Sequence, residues 1–325
     1  VSRIVFSPNI LPKEVVDVAK DMAPKNFDLV VADFPTPAFM EAVKDAEFFV
    51  GFVRGGFDDA FYKNASKLKL IQLISAGYDR VDIEAARRAN VLVANNGGAN
   101  AVSVAEHTML LILSTMKKLA DLHEKCMDGK WRVGDFSQNR LFELDGKTLG
   151  IVGLGNIGKK VARRAQAFGM SVIYYDIIRL TEDQEDALGV RFALFDEVLR
   201  TADVVTLHTP LTPLTRKMMD GRAFGLMKPT AFFINTCRGP VVDEEALFQA
   251  LITNRIMGAG LDVMEQEPPP ADHKFFNLQN ITITPHMAGP TVENWGRAFR
   301  NAFDNIQRVA AGRPASWVIP ELRTS

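Results

Sequence analysis

The stretch Lys147-Thr-Leu-Gly-Ile-Val-Gly-Leu-Gly-Asn-Ile-Gly158 restricts the possible folds more than any other part of the chain. Leu149 to Val152 reads as a buried strand. Ile157 to Phe168 carries apolar residues at helical spacing (Ile157, Val161, Ala165, Phe168), so the three glycines join a strand to a helix. Gly153 permits a sharp turn out of the strand, and Gly155 leaves bare backbone where a Cβ would collide with a phosphate. Gly158 lets the helix pack close to its sheet. The start of that helix offers free N–H groups and the positive end of its dipole to an anion. Ser171-Val-Ile-Tyr-Tyr175 reads as the next strand and runs into Asp176, 18 residues past Gly158. In a dinucleotide-binding βαβ unit that position sets a carboxylate against the adenosine ribose hydroxyls. Glycine-rich turns are common in αβ proteins, so the flanking strands, the helix and Asp176 carry the inference.

At 325 residues the chain exceeds one ordinary core and implies two domains. Its 38 basic and 39 acidic residues leave a formal charge of −1, so no global field draws it to nucleic acid or an anionic membrane. No apolar run approaches the roughly 18–20 residues of a bilayer span. The start, Val1-Ser-Arg-Ile-Val-Phe6, reads as a first strand without the features of a signal peptide. Cys126 and Cys237 are far apart and lack metal-ligand spacing, which argues against a disulfide scaffold or a metal site. A reducing, cytoplasmic setting is the expectation.

Short apolar runs alternate with helical patterns along most of the chain, as in doubly wound parallel sheets. Strands are expected at Ile4 to Phe6, Leu29 to Ala32, Phe48 to Phe52, Leu70 to Leu73 and Val91 to Ala94, with helices at Lys13 to Met22, Pro37 to Val43 and Ile83 to Ala89. A single long helix is expected from Val102 to Cys126, with Val104, Ala105, Thr108, Leu111, Ile112 and Leu119 on its core face, long enough to bridge two domains. An irregular connection follows from Gly129 to Gly146. Further strands are expected at Leu149 to Val152, Val172 to Tyr175, Val204 to Leu207, Ala231 to Asn235, Gly258 to Asp262 and Ile281 to Ile283. Thr291 to Ala311 reads as an amphipathic helix, and Pro314 to Ser325 as a polar end.

Arg238, Glu267 and His286 each follow one of these later strands, and carboxyl ends of parallel strands are where ligands bind. A cation, an acid and an imidazole suit the reduction of a 2-oxo acid. Arginine grips a carboxylate with two parallel hydrogen bonds, and histidine exchanges a proton with the carbonyl oxygen. A carboxylate beside the imidazole fixes its tautomer and stabilises its charged form. On position alone, Glu267 reads equally as a solvated loop acid and Arg238 as a helix-entry cation. His208 ends a strand much as His286 does, while His107 and His123 read as packing or surface residues of the long helix.

With these residues the chain resembles the D-isomer-specific 2-hydroxyacid dehydrogenases, the group of phosphoglycerate dehydrogenase, D-lactate dehydrogenase and hydroxypyruvate/glyoxylate reductase. The resemblance rests on ordered motifs over nearly the whole chain: Ser75-Ala-Gly-Tyr-Asp79, Ser103-Val-Ala-Glu-His107, Gly150 to Gly158, His208-Thr-Pro-Leu-Thr-Pro-Leu-Thr215, Asn235-Thr-Cys-Arg-Gly239, Gly260-Leu-Asp-Val263 with Glu267-Pro268, and Pro285-His-Met-Ala-Gly289. It implies an α/β fold of two doubly wound parallel-sheet domains. A Rossmann nucleotide domain (99–287) would be inserted into a flavodoxin-like substrate domain (1–98 with 288–325), with the active site in the cleft between them.

The resemblance further implies Arg238 on the substrate carboxylate and carbonyl, His286 as acid/base and Glu267 as its partner. Cofactor neighbours would be Gly153, Gly155, Asn156, Ile157 and Gly158 at the pyrophosphate, and Asp176 at the ribose. Thr209, Pro210, Thr215 and Gly289 join them, with Thr236, Cys237 and Asp262 on the nicotinamide side. Ala76 and Gly77 would offer N–H groups to the substrate, and Arg54 stands where some members hold a distal anionic group, though it reads equally as a surface arginine. Asn96-Gly-Gly-Ala-Asn100 departs from the proline-glycine often found at this crossover, which blurs the subfamily.

Asp176 favours NAD(H), since a carboxylate accepts from a ribose diol and repels a 2′-phosphate, while Arg179 could soften that preference. Cys237, beside Arg238, is expected to have a lowered thiol pKa. The implied activity is interconversion of a small 2-oxo acid and its D-2-hydroxy acid by a homodimer. A dinucleotide-dependent interaction protein of corepressor type, or a phosphite dehydrogenase, are the alternatives. Glu267 stands where formate dehydrogenases of the superfamily carry glutamine, which argues against formate.

Overall fold

Parallel strands covered by helices on both faces require nearly continuous apolar runs, and the buried strands of this chain have them. The structure, a computed structural model, describes residues 1–131 and 140–323. Within those residues the chain divides into two compact units, Val1–Asn100 with the segment from Pro290 onward, and Ala101–Gly289.

In the first unit, β1 (Arg3–Ser7), β2 (Asp28–Val31), β3 (Ala46–Gly51), β4 (Leu70–Leu73) and β5 (Leu92–Ala94) form a parallel sheet in the order β2-β1-β3-β4-β5. This is the flavodoxin-like strand order. Helices α1 (Lys13–Met22), α2 (Pro37–Ala42), α3 (Asp59–Asn64) and α4 (Ile83–Arg88) connect the strands. Phe48 and Phe49 are adjacent in β3, project to opposite faces and are both fully buried, in separate apolar clusters.

The second unit holds β6 (Thr148–Val152), β7 (Ser171–Tyr175), β8 (Val190–Phe192), β9 (Val204–Leu207), β10 (Phe232–Asn235), β11 (Gly258–Leu261) and β12 (Ile281–Ile283). They pair in parallel in the order β12-β11-β10-β9-β6-β7-β8, so the winding reverses between β6 and β9. The helices are α5 (Ala101–Lys117), α6 (Leu119–Met127), α7 (Asn156–Ala167), α8 (Glu182–Leu188), α9 (Phe195–Thr201), α10 (Gly221–Leu226) and α11 (Glu244–Ile252). Finally α12 (Val292–Ala310) returns to the first unit, where Phe299 meets Phe6 edge to face at 5.5 Å.

Four expectations need correction. The long helix is two: Lys118 takes a left-handed backbone (φ 49°) and ends α5 after 17 residues, about 26 Å. Leu119, expected in the core, starts α6 and is 55% exposed. The terminal segment is not merely polar, because Ile319 is fully buried and the Trp317 indole packs over Gly97. Asp262 lies just beyond β11 rather than in it. Elements given no range in the sequence include α8 to α11, β8, a three-residue strand whose Val190 alone is buried, and α3, which Asp58 caps through the Phe61 N–H. Residues 132–139 of the expected irregular connection lie outside the described residues, as do 324 and 325 of the polar end. No helix among the described residues is long and apolar enough to cross a membrane.

Candidate active site

The reversal between β6 and β9 opens the carboxyl edge of the sheet at the glycine turn. Gly153 takes φ +95°, and a Cβ there would stand 2.7 Å from the His208 carbonyl oxygen. A Cβ at Gly158 would run into the Gly153 carbonyl, so these two glycines are demanded by the chain's own packing. Gly155 differs: a Cβ there would meet nothing within 4 Å. It caps α7 without a side chain and, with Asn156, is exposed, which leaves the start of the helix open to an anion. Asp176, just past β7, accepts from the Leu154 N–H at 2.7 Å and the Ile178 N–H at 3.0 Å. It thereby ties the glycine turn to the second strand, and two oxygens with about four acceptor positions leave capacity for a ribose diol. This cradle fits a dinucleotide.

Past β10, β11 and β12, at the same edge, stand the three polar residues singled out from the sequence. His286 Nδ1 lies 2.7 Å from Glu267 Oε2, and Glu267 Oε1 accepts from the Met264 N–H at 3.0 Å. Burial acts to raise the Glu267 carboxyl. The hydrogen bond and charge of His286, the Met264 N–H and the Arg238 charge outweigh it, and the group is held below the ordinary carboxylate range. An ionised carboxylate only accepts, so Nδ1 carries its proton towards Glu267 and the imidazole presents Nε2 elsewhere. Asn235 builds the neighbouring turn. Its side chain accepts from the Cys237 N–H at 3.0 Å and donates to the Arg238 carbonyl at 3.0 Å, while the Arg238 guanidinium donates to the Cys237 carbonyl at 2.7 Å. Gly239 then seats this turn against the Met264–Glu265 backbone, where any Cβ would overlap.

Beneath His286 lies Asp262, 1% exposed. One of its oxygens accepts from the Thr284 hydroxyl at 2.6 Å and the Met287 N–H at 2.8 Å, the other from the Ala288 N–H at 2.9 Å. The His286 N–H bonds the Asp262 carbonyl at 2.8 Å, and His286 itself takes φ +57°. Burial pushes the Asp262 carboxyl up, but His107, the Thr284 hydroxyl and the two N–H groups prevail and hold it low. His107 Nε2 stands 2.8 Å from the Thr284 hydroxyl and 3.4 Å from Asp262. The packing-or-surface reading of His107 missed this network, although a histidine on an apolar helix face and the threonines of Ile281-Thr-Ile-Thr284 were visible signals.

Other expected residues fall as follows. Thr236 is buried, its hydroxyl 3.0 Å from that of Thr108. Thr215 closes the turn after β9, donating to the Pro210 carbonyl at 2.6 Å, and Thr209, Ile157 and Gly289 are half-buried. His208 is no second acid/base group: burial drives its pKa down to about 3, and its Nε2 meets the Thr206 hydroxyl at 3.1 Å. His123 is exposed. The Cys237 expectation is overturned. Desolvation raises that thiol despite Arg238, and Sγ donates to Asn235 at 3.1 Å. In the first unit, Arg54 is exposed beyond β3, and Ala76 and Gly77 are half-buried beyond β4. Among the described residues no cluster of His, Cys, Asp and Glu could hold a metal ion.

A glycine turn at the switch point, an acid ending the second strand and a His–Glu pair on the same edge define a dinucleotide-binding αβ protein equipped for proton transfer. A family model for the NAD-binding domain of D-isomer-specific 2-hydroxyacid dehydrogenases matches residues 109–288, and the chain belongs to that family. A glyoxylate reductase of Korarchaeum cryptofilum is 36% identical over 292 residues, 90% of this chain and 85% of its own. A D-3-phosphoglycerate dehydrogenase of Methanocaldococcus jannaschii is 38% identical over 284 residues, 86% of this chain but 53% of its own. The D-lactate dehydrogenase of Aquifex aeolicus, solved with NAD and lactic acid, superposes with a TM-score of 0.82 at 29% identity, over 95% of this chain and 96% of its own. The protein is thus an NAD-dependent enzyme of the 2-hydroxyacid dehydrogenase type.

Proposed function

We propose that this enzyme reduces a small 2-oxo acid, of the size of glyoxylate, to the 2-hydroxy acid, with D configuration where the product is chiral. The carrying observation is the 2.7 Å His286–Glu267 pair beside Arg238, on the edge that holds the glycine turn. The bound dinucleotide, when reduced, supplies the hydride. Arg238 holds the substrate carboxylate and draws electron density towards the carbonyl oxygen. His286, its Nδ1–H committed to Glu267, donates a proton from Nε2 to that oxygen as the carbon is reduced. The Glu267 carboxylate stabilises the imidazolium before transfer, and takes the same part in the reverse direction. Ala76, Gly77 and Arg54 belong to the reading as substrate neighbours. Thr236, Cys237 and Asp262, with the motif residues Thr209, Pro210, Thr215 and Gly289, belong to it as cofactor neighbours.

We also place the enzyme in the cytoplasm, as a homodimer. Support for the dimer comes from apolar side chains left in water at and beyond α5 and α6: Leu110, Leu119, Met127 and Trp131, the last 78% exposed. NADH oxidation, followed at 340 nm over a panel of 2-oxo acids, tests the reaction. One acid should turn over strongly, and Arg238→Ala should lower kcat/KM by about a hundredfold or more while NADH still binds. Silence across the panel, or near-normal kcat/KM in the variant, would overturn the proposal.

A further inference from the structure

Arg179 stands three residues beyond Asp176, where an arginine can accept the 2′-phosphate of NADP. Its guanidinium is already engaged. Nε donates to Glu185 Oε1 at 2.8 Å and Nη2 approaches Oε2 at 3.4 Å, while Cζ lies 5.1 Å from the centre of the Phe192 ring. Glu185 lies in α8 with its side chain only 9% exposed, so its charge has little water to fall back on. The Tyr174 hydroxyl donates to Oε1 at 2.9 Å and accepts from the Leu180 N–H at 2.9 Å, which fixes the carboxylate against the loop that carries Arg179.

We propose that Glu185 is a specificity-determining residue for the dinucleotide, because it sequesters Arg179 and denies that cation to a 2′-phosphate. The inference rests on reading Asp176 as the ribose-binding acid. Selection against the phosphate then has two parts: Asp176 repels it, and recruiting Arg179 would leave a nearly buried carboxylate without its charged partner. Removing the Glu185 charge releases the cation without touching Asp176.

Calorimetric titration of the full chain with 5′-AMP and with 2′,5′-ADP tests this without any turnover. Glu185→Gln should bind 2′,5′-ADP about tenfold more tightly than the unaltered chain does, with 5′-AMP changed less than twofold. The gain should vanish in the Glu185→Gln/Arg179→Ala double variant. Arg179→Ala alone should alter neither affinity by more than about twofold, because the side chain is already committed. If the unaltered chain binds 5′-AMP and Glu185→Gln gains nothing, or if the gain survives the loss of Arg179, sequestration is wrong. A several-fold loss of 2′,5′-ADP binding in Arg179→Ala would refute it even if Glu185→Gln failed to fold. If neither nucleotide binds the unaltered chain, the ribose reading of Asp176 falls first, and this inference with it.

Discussion

The three glycines of the turn make different demands, and alanine at each should separate packing from ligand binding. At Gly153 a Cβ would stand 2.7 Å from the His208 carbonyl oxygen, on a backbone at φ +95°. The left-handed conformation costs a side-chain-bearing residue roughly 1–2 kcal/mol, and the overlap about 1–3 more. In a unit of this size each kcal/mol lowers Tm by about 2–4 °C, so Gly153→Ala should lose about 4–20 °C. Gly155→Ala has no such collision, since nothing lies within 4 Å of the new methyl. Alanine is a poorer N-cap than glycine, but it restricts the unfolded chain. The two effects are each about 0.5–1 kcal/mol and oppose one another, leaving Tm within about 2 °C. The methyl does occupy the approach to the α7 N-terminus. Losing one or two charge-assisted hydrogen bonds to the pyrophosphate should weaken NADH about 10- to 100-fold. Differential scanning fluorimetry and a tryptophan-quenching titration with NADH read both quantities on the same samples. Unchanged NADH affinity in Gly155→Ala would show that the open space is not the phosphate cradle, and a Tm loss matching that of Gly153→Ala would refute the packing argument.

Gly239→Ala should push the Arg238 turn off the Met264–Glu265 backbone. A displacement of about 1 Å between Arg238 and the Glu267 loop should lower kcat/KM about a hundredfold. Activity within threefold of the unaltered enzyme would show the two loops to be independent. Acid unfolding should show the sign set by Asp262 and Glu267, both held below their ordinary pKa in the fold. The unfolded chain takes up their protons first as pH falls, so their contribution is complete above about pH 5 and is lost below about pH 4. In thermal melts from pH 3 to 7, Asp262→Asn should flatten the low-pH slope. An unaltered slope would remove Asp262 from the account.

Where local pattern and tertiary packing agree, the sequence was readable. The buried runs of β6, β9 and β10 and the helical spacing of α7 name their own periods, and the ligand-binding edge follows from parallel strands. What stayed hidden depends on neighbours far away in the chain. Lys118 breaks a pattern that remains apolar through Leu119, and no local signal such as glycine or proline marks the break. Ile319 looks like part of a polar tail until a sheet of the same unit covers it. Cys237 was judged by its cationic neighbour alone, whereas desolvation acts on the thiol more strongly than Arg238 does. His107 and His286 are distinguished by the groups facing them, and those groups come from the loops beyond β11 and β12.

His286 sits in a backbone region that glycine or asparagine enters more readily than histidine, at φ +57°. The surrounding N–H groups bonded to Asp262 compel it to stay there, so the chain gives up roughly 1 kcal/mol of stability at that position. The bond to Glu267 offsets that cost, so durability alone would remove the pair rather than the imidazole. A screen of this enzyme for heat resistance, run without an activity filter, should enrich His286→Asn only together with a change that neutralises Glu267, such as Glu267→Gln, in chains that have lost their proton donor.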